Sequence, residues 1–163
     1  MSRAYHYIRG DDLRHIWAEK YPLRAWSPLV PPKIARRLEI DVPRVGYLFC
    51  FLNDPEPESW VRTGWLKHLK NCMKNNYGLL SFDIENEYPV YVLDSTHLQE
   101  LWEKSKGDFL EARELGLREV YIEYMASRVP LEEYDGSYEI SEFIIAQDIP
   151  FSELVLEKIP TIV

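Results

Sequence analysis

Between Pro43 and Asn53-Asp54-Pro55 lies Val45-Gly46-Tyr47-Leu48-Phe49-Cys50-Phe51-Leu52, a run without a single charged side chain. Apolar runs of this length, bounded by turn residues and lacking polar alternation, suit a strand buried on both sides in the middle of a sheet. The rest of the chain must therefore supply partner strands for its two edges and helices to cover them.

The partners are legible on either side. Ala4 to Arg9 reads as a short strand closed by Gly10, with Asp11 or Asp12 placed to accept hydrogen bonds from the first amides of a helix running to about Lys20. Leu13, Ile16 and Trp17 fall on one face of that helix. From Tyr21 to Pro43, the prolines at 22, 28, 31, 32 and 43 forbid sheet pairing or a long helix, leaving a loop with one helical turn around Ile34 to Leu38. A loop this long in a small domain is more often functional than idle.

Ser59 to Asn75 reads as one helix. Leu79 to Ile84 and Pro89 to Leu93 read as strands around a turn at Asn86, and Thr96 with Gln99 fits a capping box for a helix carrying Leu98, Leu101 and Trp102 inward. Gly107 to Leu115 is a shorter helix stopped by Gly116, and Val120-Tyr121-Ile122 follows as a strand. Pro130 to Tyr138 reads as a loop, with strands at Glu142 to Ala146 and Leu154 to Leu156 behind it. The sum is about seven short strands and about four helices that do not alternate, an α+β fold with a mainly antiparallel sheet. At 163 residues this is one domain, residues 1–163.

Composition narrows the function classes. Lys and Arg total 19 against 27 Asp and Glu, a net charge of −8, so the average field repels nucleic-acid backbones. The basic residues crowd the first third, from Arg3 to Arg44, where a local face can receive a phosphate-bearing ligand. No stretch is long and apolar enough to span a membrane, and Met1 to His6 lacks the apolar core of a signal peptide, so a cytoplasmic protein is expected. Cys50 and Cys72 are expected as free thiols.

The familiar glycine-rich phosphate loops, the HExxH zinc motif and the GxSxG nucleophile motif do not appear. His68 and Cys72 are four apart on the helix read over Ser59 to Asn75, but two ligands make a poor metal site and a surface helix is expected there. The acid-rich stretch Glu132 to Glu142 can supply general acids and bases. Three segments say more together: Tyr5-His6-Tyr7-Ile8 with Leu13 and Ile16 behind it, Val45-Gly46-Tyr47-Leu48-Phe49, and Ser141-Glu142-Phe143-Ile144-Ile145 followed by Ile149-Pro150 and Leu154-Val155.

Their order resembles the ADP-ribosyltransferase superfamily, in which a His on an early strand, a Tyr or Ser on a middle strand and a Glu on a late strand surround NAD. The closing segment resembles the DarT-like branch. The resemblance implies a split sheet, NAD as substrate and no metal. It implies that Glu142 stabilises the oxocarbenium charge formed as nicotinamide leaves ribose, that Tyr47 stacks on nicotinamide, and that His6 donates to the adenosine-side ribose, with Tyr7 beside it on the NAD-facing strand. Arg9 would meet the pyrophosphate. The Pro22 to Pro43 loop would cover NAD or face the acceptor, and the Pro130 to Tyr138 loop would present Glu142.

The chain departs from the arginine-modifying members. Ile140 stands where they carry a second acid two residues before the catalytic Glu, and their Ser-Thr-Ser strand motif is missing. Acidity and the lack of an aromatic-basic stripe favour a protein or small-molecule acceptor over nucleic acid. The rival reading is a non-catalytic acidic protein-binding domain of the immunity or antitoxin kind, capturing a basic partner through an exposed patch of Trp26, Trp60 or Trp65.

Overall fold

The structure, a computed structural model, describes residues 2–84 and 88–161. Its strands are β1 (Arg3–Arg9), β2 (Leu48–Leu52), β3 (Tyr77–Asp83), β4 (Val90–Asp94), β5 (Val129–Pro130), β6 (Ser141–Ile145) and β7 (Val155–Lys158). They form one seven-stranded sheet in the order β5-β4-β6-β2-β1-β3-β7. Every neighbouring pair is antiparallel. The apolar run thus supplies the fourth and central strand, as its composition requires.

That strand begins at Leu48 rather than Val45. Val45 is exposed, and Tyr47 instead exchanges backbone hydrogen bonds with Ser27, at 3.1 and 2.8 Å, in an isolated bridge. A second bridge joins Leu23 to Ile149. The proline-rich segment is therefore fastened to the sheet at two points, each where it presents a free amide between prolines.

The ladder between β1 and β2 has two residue pairs, Ala4 with Leu52 and Tyr5 with Phe51, whereas β1 and β3 pair at seven positions from Arg3 to Arg9. The two central strands part beyond Tyr5, and the candidate site opens where they part.

Seven helices cover the sheet among the described residues: α1 (Gly10–Glu19), α2 (Pro32–Leu38), α3 (Glu58–Arg62), α4 (Trp65–Cys72), α5 (Thr96–Ser105), α6 (Phe109–Glu114) and α7 (Leu117–Ala126). The expectation of about four helices is too low, and three local expectations change as well. The single helix expected over Ser59 to Asn75 breaks into α3 and α4 at Gly64, whose φ of 76° suits glycine. Val120 to Ile122 is helical rather than extended, because Leu117, Tyr121 and Tyr124 recur at helical spacing and α7 buries all three. The capping box is displaced: Asp94 accepts from the Thr96 amide, Gln99 donates to the Ser95 hydroxyl, and Thr96 Oγ1 accepts from the amide of Ile140.

At the start of α1, Arg9 holds the N-cap position without a side-chain bond, and Asp11 and Asp12 sit in the first turn, where they complement the helix dipole. The turn expected at Asn86 lies outside the described residues.

Three apolar clusters result. One packs α1 on the sheet through Ala4, Ile8, Leu13, Leu80 and Phe82. A second lies under α2, α5, α6 and α7 around Leu93, Tyr121 and Ile144, and a third surrounds Trp60, Tyr7 and Leu66. The second and third flank the parted strands. Among the described residues no helix is long and apolar enough to cross a membrane.

Gly46 holds the proline-rich segment close, since a Cβ there would stand 2.3 Å from the Ala25 carbonyl oxygen and 2.5 Å from the Trp26 Cα. Backbone atoms cannot swing aside as a flexible side chain can. Gly46→Ala is expected to destabilise the fold by about 1–3 kcal/mol. Thermal unfolding would show this as a Tm lowered by about 3–10 °C.

Candidate active site

A cleft of about 750 Å³ lies at the parting of β1 and β2, within the range of roughly 300–1,000 Å³ usual for small-molecule sites. Its wall is mainly apolar and aromatic, with Phe49 and Phe51 from β2, Trp60 from α3 and Tyr121 and Tyr124 from α7. Within that wall His6 and Glu142 both face the cleft. The first and third of the three segments therefore converge.

His6 occupies the gap between the strands. Its Nδ1 lies 2.7 Å from the carbonyl oxygen of Phe49, an acceptor that would otherwise expect a backbone amide from β1. A carbonyl only accepts, so Nδ1 carries the proton and Nε2 is the nitrogen left for a ligand. Burial lowers the imidazole pKa, opposed by the bond to Phe49, which keeps the ring neutral at pH 7. The neutral Nε2 is then a hydrogen-bond acceptor, where the resemblance implies a donor.

Tyr7, two pleats from Tyr5, lines the same cleft. Its hydroxyl donates to the Pro55 carbonyl at 2.9 Å. Burial first, then the acids Glu56 and Asp54, hold this phenol protonated. What Tyr7 offers a ligand is its ring, fixed edge-on to Phe51 at 6.1 Å between centroids.

Glu142 pairs with Leu93 of β4 and shares its strand face with Ile144, which packs beneath α7. One residue earlier, the Ser141 carbonyl accepts the Trp60 indole N–H at 2.8 Å, which fixes the backbone that carries the carboxylate. Glu142 Oε1 accepts the phenolic O–H of Tyr124. Burial pushes the Glu142 carboxyl up to about 7, partly offset by the Tyr124 hydrogen bond. Among the described residues it is the one acid lining the cleft. The other acids of the stretch, Glu132, Glu133, Asp135 and Glu139, are exposed.

Two expected site residues lie elsewhere. Tyr47 is buried in the second cluster, and its hydroxyl accepts from Arg128 at 2.8 Å. It does not line the cleft; Phe49 and Phe51, two and four positions on, reach it from the same strand face. Arg9, at the end of β1, is exposed and outside the cleft wall. The cations at the cleft are Lys33 and Arg37 of α2, with the Arg37 guanidinium 5.2 Å from the centre of the Phe109 ring. The signal for them was the basic first third together with the long loop.

Trp65 of α4 and Trp102 of α5 also line the cleft, edge to face with 6.3 Å between ring centres. Tyr121 and Tyr124 escaped sequence reading because Val120-Tyr121-Ile122 mimics a strand. Their signal was the spacing of Leu117, Tyr121 and Tyr124.

His68 and Cys72 do meet, with Nε2 3.4 Å from Sγ, on the exposed face of α4. No third His, Cys, Asp or Glu joins them among the described residues. Comparison of the chain with family models, with curated proteins and with solved structures found no match.

Two outcomes follow from the buried groups. The Glu142 carboxyl has a folded-state pKa of about 7 against an ordinary 4.5. The folded state therefore favours the protonated form, and this contribution is present below the ordinary value and lost as pH rises through about 7. Glu142→Gln, neutral throughout, should gain about 1–3 kcal/mol of stability over the parent at pH 8 and almost none at pH 4, read from denaturant midpoints at the two pH values. Separately, Cys50 is buried with its thiol pushed up to about 12, while Cys72 is exposed. Titration of the native protein with an aromatic disulfide reagent should release one equivalent of reporter quickly and the second only on unfolding.

Proposed function

We propose that this chain is an NAD-dependent ADP-ribosyltransferase-like domain that transfers ADP-ribose to an acceptor. The observation that carries the reading is that His6 of β1 and Glu142 of β6 share one dinucleotide-sized cleft at a split in an antiparallel sheet, with Glu142 its one acid among the described residues.

The chemistry assigns each group a task. As the bond from ribose C1′ to the nicotinamide nitrogen breaks, its electron pair leaves with nicotinamide and positive charge develops on the ribose. A carboxylate held in an apolar wall stabilises that charge far more than one in water. Glu142 is this carboxylate. His6 Nε2 accepts a ribose hydroxyl and sets the sugar's position. Lys33 and Arg37 take the role first given to Arg9 and meet the pyrophosphate. Phe49 and Phe51, in place of Tyr47, provide flat faces for the nicotinamide ring, with Tyr7 closing the same side. The acceptor nucleophile then bonds to C1′ and gives up its proton to solvent.

A single acid among the described residues of the cleft wall argues against a guanidinium acceptor, which needs a counter-charge beyond the one spent on the ribose. The cleft carries cations, Lys33 and Arg37, and flat aromatic faces, Trp65 and Trp102, so it offers groups for both a diphosphate and a neutral ring. The binding-domain alternative required an exposed tryptophan patch. Trp60 is buried and Trp65 faces the cleft, leaving Trp26, 76% exposed, on its own.

Nicotinamide release from NAD is the measurement. Glu142→Gln should lower its rate by about 10²–10³, and Lys33→Ala with Arg37→Ala should raise KM with little change in kcat. The rate should climb with pH through about 7 as Glu142 ionises. Equal release by Glu142→Gln and the parent, or none from the parent, would defeat the reading.

A further inference from the structure

We propose that Tyr124 is a positioning residue for Glu142: from α7 its phenolic O–H engages Oε1 of the carboxylate and leaves Oε2 as the oxygen available to a ligand in the cleft. The inference rests on the functional reading above for its kinetic consequence, and on geometry alone for its electrostatic one.

The phenol is placed by a built support. Tyr124 is buried, and its carbonyl accepts from Ser127 Oγ at 2.6 Å. The same Oγ accepts the amide of Asp94 at 2.8 Å, and Asp94 is paired with Ser141, the residue before Glu142. The Tyr138 hydroxyl donates to the Ser127 carbonyl at 2.7 Å, so the loop after β5 holds the same corner. The end of α7 is thus indexed to the strand position of the carboxylate through β4. Support of this kind, a side chain locked from behind by further hydrogen bonds, is what keeps a functional group within fractions of an ångström.

The neighbours of Glu142 leave Tyr124 this task. On β2, Cys50 is protonated, its thiol pushed up to about 12; on α7, Tyr121 is likewise pushed up to about 12. His6 on β1 is held neutral by burial, Gln99 of α5 does not titrate, and Leu93 on β4 is apolar. The cations Lys33 and Arg37 belong to exposed positions of α2. A donor to the ionised carboxylate favours the ionised form, and its removal from an apolar wall leaves the charge uncompensated.

The test compares Tyr124→Phe with Tyr121→Phe. The Glu142 carboxyl is titrated by carbon NMR in protein labelled at glutamate, and nicotinamide release is followed from pH 5.5 to 9. Tyr124→Phe should raise the Glu142 midpoint by about one pH unit. It should slow release about tenfold at pH 6.5, leave KM for NAD unchanged and restore the rate toward pH 9. Tyr121→Phe should move neither midpoint nor profile upward.

Tyr124→3-fluorotyrosine, which keeps the shape and strengthens the donor, should shift the midpoint down, so the inference stays testable if the phenylalanine variant folds poorly. An unmoved midpoint in either Tyr124 variant, or a rate loss equal at every pH, overturns it. If the midpoint moves while Glu142→Gln leaves nicotinamide release intact, the tyrosine pairing stands and the transferase reading falls.

Discussion

The carbonyl of Phe49 accepts from an imidazole at a place where a continuous sheet would offer a backbone amide. Buried backbone groups must find partners, and strands that separate ordinarily leave theirs unpaired. His6 removes that cost by bridging the gap with a side chain, so β1 and β2 can part after two pairs without stranding an acceptor. The candidate site follows from that separation. It opens the cleft, brings the faces of β2 and β6 into it, and leaves the imidazole presenting one nitrogen inward.

A second constraint runs against stability. Glu142 sits in a wall of aromatic and aliphatic groups where an ionised carboxylate is disfavoured, and the fold answers with a single phenol rather than a cation. Natural folds pay such costs at functional sites and recover them in the rest of the core. Here the recovery lies in the three apolar clusters, whose fully buried members include Phe82, Leu80, Leu93, Ile144 and Ile145. The net charge of −8 belongs mainly to the solvated surface. It does not describe the cleft, whose mouth carries Lys33 and Arg37.

Much of this architecture could be read from residue order. The central strand, its partners around Tyr5 and Phe143, the strand around Ser81 beside the first of them, and the helical turn inside the proline-rich stretch all rest on local signals strong enough to survive folding. The errors have physical causes. Val120-Tyr121-Ile122 is β-branched and aromatic, yet tertiary packing of Leu117, Tyr121 and Tyr124 decides the helix. Tyr47 and Phe49 occupy alternate positions on one strand face, and sequence does not say which of them stands opposite the gap. Arg9 and Arg37 are equally basic; only the path of the chain places the second at the cleft. Glu142 was legible because a carboxylate leading an apolar strand has no cheap structural explanation.

The bridges from Leu23 to Ile149 and from Ser27 to Tyr47 carry a mechanical consequence. They tie the chain at Leu23 to the turn after β6 and at Ser27 to Tyr47, just ahead of β2. Pro28, the next residue along and part of the cleft wall, therefore leaves from an anchored backbone, and the entropy of ordering that anchor is spent during folding.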